Sequence, residues 1–347
     1  QNKMLLMKMN QSCFTLLSGL FAAGLMATEP VLAADAHYHL LKEIPVRDGG
    51  KWTAMAVDET GRRLYAAHGS RIEVINLDKE VPTGVITDTP DVRGLAIAPG
   101  FHMGFASSSK AQSVSLVDLN SLRTTTKMKT GVEPAAVVFE PGKLQLYAFN
   151  QGDHSATAGE ADDGDFLATI DLGGKPSAAT TDSKADYESK GSRVFSSIED
   201  KNEVVAIDAG THKVTDHWPV APGQSPGSMV YDGANHRLFV ACANKLLVVL
   251  DGANGKVVAT ASIGEGAGDI AYDSATENVF SSTADGAVTI VHVDAPNKIT
   301  VLQTLNTKPG SSVLGLDGKT HKIYVGSVDV QGANPVPGTA KILVYGM

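Results

Sequence analysis

Short apolar bursts divided by turn residues recur along this chain. In "RLFVACANKLLVVLDGANGKVVATASIG" (237–264), three bursts are separated by Asn-Lys and by Gly-Ala-Asn-Gly. The internal period is two rather than 3.6, so each burst reads as a strand. The whole group repeats. A first strand runs into a turn in "MAVDETG", "LAIAPG", "VVFEPG", "ATTDSK", "MVYDGA", "IAYDSA" and "LGLDGK". The turn markers are Asp58, Ala98, Glu140, Asp182, Asp232, Asp273 and Asp317, at steps of 40, 42, 42, 50, 41 and 44 residues. A second strand follows each marker, as in "RLYAAH" (63–68), "VFSSI" (194–198) or "KIYVGS" (322–327). A third follows that, as in "RIEVINL" (71–77), "EVVAIDA" (203–209) or "AVTIVHV" (287–293), and a hairpin leads to a fourth. No stretch sustains a helical period.

Seven units of four short strands, at a period close to that of known propeller repeats, predict an all-β, seven-bladed β-propeller. The chain ends support closure. The last unit offers strands at 311–317, 322–327 and 341–346 but no fourth. "YHLLKEIPV" (38–46) looks like a fourth strand with no unit before it. Pairing the two completes the last blade and hides the sheet edges. Composition agrees: 35 glycines suit tight turns, and 43% apolar residues supply a core. A chain of 347 residues would ordinarily suggest two domains, but repetition extends one domain by adding units.

These repeats resemble the YVTN-repeat, or YncE-like, propellers over roughly residues 37–347. The segments that carry the resemblance include "IDLGGKPSAATTD", "SSIEDKNEVVAIDAGTHKV" and "FSSTADGAVTIVHVDAPNKITVLQTLNT". The resemblance implies a secreted seven-bladed propeller, usually of unassigned function. One such protein binds single-stranded DNA, a property the acidic balance of this chain argues against. Relatives often carry Ala-Pro-Cys where this chain has Ala221-Pro222-Gly223, and the resemblance implies that such a cysteine could pair with the one matching Cys242. The third unit also departs from the pattern: "ATAGEADDGDFLAT" (156–169) stands where a Val-Ile-Asp strand belongs, so a weakened third strand is expected there.

The first 34 residues read as a cleaved export signal. Lys3 and Lys8 form a positive start, "CFTLLSGLFAAGLM" (13–26) an apolar stretch, and "VLA" (31–33) a small-residue cleavage site. Residues 35–347 are then a single propeller, periplasmic or secreted, with no membrane span and expected to be a monomer. Net charge is −9; losing Lys3, Lys8 and Glu29 removes a net +1 and leaves −10. Such a surface repels phosphate backbones, so nucleic acid is not an expected partner. Only Cys242 remains after cleavage, which excludes an internal disulfide.

Several motifs dissolve under their context. "GQSPG" (223–227) matches a nucleophile elbow around Ser225, but it lacks the following helix and puts Pro226 next. "GEADDGD" (159–165) lacks the ligand order of a calcium loop and suits a hairpin turn. Lys175 in "GGKPS" has neither the spacing nor the helix of a phosphate loop. Cys242 ends an apolar strand, as a buried inert thiol does. "DAHYH" (35–39) differs: cleavage after Ala34 would make His37 the third residue, completing a square-planar nitrogen set for Cu(II) or Ni(II). Cleavage after Ala33 would destroy it.

A ligand would sit where loops gather around the channel. Fourth-to-first loops supply Trp52, Asp91, Arg93, Glu133, Lys175, Gln224, Asp269 and Ser311; second-to-third loops supply His68, Asn150, His154, Glu199, Asn244 and Asp285. Their mixed charges suit a binding or scaffold module for a protein, peptide or small polar ligand. The alternative is a metal-dependent, lactonase-like hydrolase, with a divalent ion held by Glu133, Asn150, Glu199, Asn244 and Asp269.

Overall fold

The computed structural model describes residues 37–47, 50–182, 192–332 and 334–347. Seven four-stranded antiparallel sheets follow one another as the blades of a β-propeller. The inner strands of blades 1 to 6 are Trp52–Asp58, Val92–Ala98, Pro134–Glu140, Pro176–Thr181, Pro226–Asp232 and Ala267–Asp273. Blade 7 runs Leu314–Asp317, Lys322–Ser327 and Lys341–Gly346, and its outer strand is His39–Pro45 from the start of the chain. That strand pairs antiparallel with the last one, from His39 opposite Gly346 to Pro45 opposite Lys341. The first strand of blade 7 is shorter than the expected 311–317, because Ser311–Val313 lie outside the ladder.

Blades pack face to face, so middle strands are covered on both sides. That is why "RLFVAC" and "LLVVLD" read as continuous apolar runs rather than alternating ones. Among the described residues there is one apolar cluster per seam, seven in all. Outer strands see water on one side and alternate: Arg123–Lys129 buries little beyond Met128. The third strand of blade 3 is not weak. Ser155–Glu160 pairs along its length on both sides and is buried up to Gly159. Gly159 accommodates the neighbouring blade, since a Cβ there would lie 2.4 Å from Met128 Sδ.

The turn markers are structural. Asp58 accepts from the Gly61 amide at 2.7 Å, and Glu140 accepts from Gly142 and Lys143 at 2.8 and 2.7 Å. Asp232 and Asp273 each take the amide two residues on, both at 3.0 Å. Three markers also tie blades together. Ser192 of blade 4 donates to Glu140 at 2.6 Å, and His321 Nδ1 of blade 7 lies 2.6 Å from Asp273. At the closing seam, Arg62 of blade 1 grips Asp317 through two bonds of 2.8 Å. Where the second unit has Ala98, a 3-10 turn (Pro99–Phe101) replaces the acidic turn.

Residues 1–36, which carry the export-signal reading, lie outside the described residues. No helix among the described residues is long and apolar enough to cross a membrane.

Candidate functional site

The inner strands of blades 1 to 6 share a defect near their channel ends. Pairing slips by one residue after Trp52, Val92, Pro134, Pro176, Pro226 and Ala267. Each slip is a β-bulge, which bends the strand and re-aims the side chains at the extra residue. The residues so presented are Thr53, Arg93, Ala135, Ser177–Ala178, Gly227–Ser228 and Gly268–Asp269. Together with Trp52, Ala267, Gln151 and blade 7's Ser312–Val313, they line one open polar space of about 370 Å³ to which all seven blades contribute.

The bulges are held in place. In the even-numbered blades, a serine on the second strand donates to a carbonyl at the matching place in the next blade: Ser107 to Ala135 O, Ser197 to Gly227 O and Ser282 to Ser312 O, each at 2.7 Å. Blades also approach closely here. A Cβ at Gly94 would lie 2.4 Å from Ala135 O, and one at Gly268 would lie 2.3 Å from Ser312 O. A rigid rim of this kind pre-organises whatever it presents.

Most of what it presents is small and neutral. Arg93 and Asp269 are the charged groups of the lining. Asp269 Oδ2 accepts from the Leu314 amide at 3.2 Å, its backbone NH donates to Ser312 O at 2.8 Å, and its carboxylate makes no ion pair among the described residues. Burial pushes this carboxyl up to about 7, against the opposing pull of the Leu314 amide. Arg93 is exposed to the channel and has no ion pair among the described residues.

Of the sequence-derived candidates, Trp52, Arg93 and Asp269 reach the channel. Trp52 is mainly a wedge in the closing seam: its Nε1 donates to Ser327 O at 3.0 Å, its ring lies 4.6 Å from that of His68, and only glycine fits beneath it at 326. His68 is buried behind it, with Nε2 3.7 Å from Glu73. Asp91 and Glu133 sit at left-handed loop positions, and their carbonyls accept the amides of Ser109 and Gln151. Lys175 pairs with Glu199 at 2.9 Å on the rim. Asn244 clamps its loop through Gln224 N and Pro222 O, both at 3.0 Å. Asn150 is buried against Ser155 and Thr157 within blade 3. The five proposed metal ligands are therefore not brought together, and among the described residues no group of three His, Cys, Asp or Glu is placed to hold a metal ion. His37 is exposed, while the cleavage positions that decide its role lie outside the described residues.

Two further motifs resolve. Ser225 occupies a left-handed loop position, and its amide donates to Asn202 Oδ1 at 2.7 Å. Cys242 is fully buried, and burial pushes its thiol up to about 12. A Cβ at Gly223 would lie 2.6 Å from its sulfur, so position 223 and Cys242 are in contact.

Apart from Arg93 and Asp269, the bulge residues are not among the polar loop candidates that the sequence offers. A fixed offset finds them: five residues before the markers stand Thr53, Arg93, Ala135, Ser177, Gly227, Gly268 and Ser312. Asp269 lies one residue further on.

No family model matches this chain, and no curated protein does. Among solved structures it is similar to a chain of Kuenenia stuttgartiensis hydrazine synthase, with a TM-score of 0.69 and 13% identity, over 87% of this chain and 97% of that one. At that identity the likeness extends to the fold alone: the chain is a seven-bladed β-propeller.

Proposed function

We propose that this chain is an exported propeller of the YVTN-repeat kind that binds a small polar ligand in its channel. The observation that carries the reading is the bulge-lined space, which combines a wall of small residues with two charges, Arg93 and Asp269, that form no ion pair among the described residues. Burial opposes ionisation of Asp269, so a cationic ligand group beside it would stabilise its charged form, and Arg93, exposed in the same space, is open to an anionic one. The acidic chain (net charge −9) disfavours a nucleic acid in that role. A binding role fits better than catalysis, because the channel offers neither an activated nucleophile nor a set of metal ligands.

Native against denaturing mass spectrometry of the purified protein tests this. A bound mass that disappears on denaturation, and that is lost in Arg93→Gln, is the expected result. Equal masses, together with no retained small molecule in the extract of the heated protein, would overturn it.

A further inference from the structure

Arg93 and Asp269 stand on blades 2 and 6. Around a ring of seven these are three steps apart one way and four the other, as nearly opposite as the symmetry permits. Both line the same space, yet they form no ion pair with each other. Between them the wall is made of groups such as Ser177, Ser228, Gly268 and Ser312, which offer hydrogen bonds without charge. An anion alone would satisfy Arg93 and leave Asp269 exposed to a like charge. A cation alone would do the reverse.

Resting on the channel-binding reading above, we propose that the channel selects a zwitterion, with its carboxylate on Arg93 and its ammonium on Asp269. The guanidinium fork suits a carboxylate bidentately, and the Asp269 carboxylate is acceptor-only when ionised, as an ammonium requires. A space of about 370 Å³ takes ligands from a free amino acid to a short peptide bearing both termini. These two sources share one chemistry and differ in the separation of their charges.

Isothermal titration at pH 8, where Asp269 is ionised, uses glycine, γ-aminobutyrate, 6-aminohexanoate and triglycine as a ruler. Butyrate, butylamine and glutarate serve as charge controls. At least one zwitterion should bind about tenfold or more tighter than every control. Arg93→Gln and Asp269→Asn should each abolish that preference while keeping the wild-type circular dichroism spectrum. The length that binds best tells a free amino acid from a peptide. Preference for glutarate, or equal binding of zwitterions and controls, overturns the proposal. If a bound mass is nonetheless seen in the native spectrum, channel binding stands and only the ligand class falls; without one, both fall.

Discussion

The two ends of each inner strand treat charge in opposite ways. At the turn end, carboxylates are consumed by the fold: Asp317 is held by Arg62 and Thr320, and Asp232 by Arg237 and Asn235. Burial pushes both upward, but these bonds outweigh it and hold both carboxyls below the usual range. At the channel end, Asp269 has one backbone donor and, among the described residues, no cation, and burial raises it. Strands of one repeat thus carry a structural end and an end whose chemistry is left open. The difference lies in the bulge, which takes one residue out of the ladder and turns it toward the channel.

The comparison can be broken hardest at the closing seam. Asp317→Ala leaves Arg62 with Asp78 as its remaining carboxylate and should cost about 2–3 kcal/mol, read as a lowered urea midpoint. Asp269→Asn should act in the other direction and stabilise by about 1–2 kcal/mol at pH 8, a figure discounted for the water that reaches the channel. Its pH dependence sharpens the point. The folded carboxyl keeps its proton up to about 7 while the unfolded one releases it near the ordinary value. Wild-type stability therefore falls relative to Asp269→Asn as pH rises between those two values, and the gap in melting temperature stays constant above. Asp317 has the opposite sign: its contribution is present above the ordinary carboxylate range and is lost as pH falls from that range through its lowered folded value. Arg93→Gln should change stability by no more than about 0.5 kcal/mol while removing ligand binding. Lys175→Ala, which breaks an exposed pair, should be smaller still in both stability and binding.

The fold was legible because its determinants are local and repeated. Short apolar runs, turn residues recurring every 40 to 50 residues and an orphan strand at the start of the chain specify blades and closure without long-range information. The site was less legible. Asp91, Glu133 and Lys175 were reached by a search for polar loop residues, but their backbones hold loops and their side chains stay on the rim. Asn150 and Asn244 looked like oxygen ligands, whereas the Asn244 oxygen accepts from the Gln224 amide and Asn150 is buried inside blade 3, where its amide nitrogen donates to Ser155 and Thr157. A bulge leaves no composition signature, since Thr53, Ala135 and Gly227 have nothing in common as residue types. Only alignment to the markers exposes the column, and Arg93 then stands out as the charged residue in it. The alanine- and glycine-rich strand of blade 3 misled for a related reason, because Met128, across the seam, requires a residue without a side chain at Gly159.

Borrowing the outer strand of blade 7 from residues 39–45 has a consequence for how the molecule comes into being. Six blades can form in order as the chain is made, each from adjacent sequence. The seventh needs both ends of the chain at once, with His39 meeting Gly346. Until then the growing arc has two open flanks, and Tyr38 cannot reach its bonds to Gln303 and His321. Assembly therefore ends in a single long-range event, expected to be the slow phase of refolding. Deleting residues 37–46 should yield an arc that associates with other copies through its uncovered edge rather than a merely less stable ring.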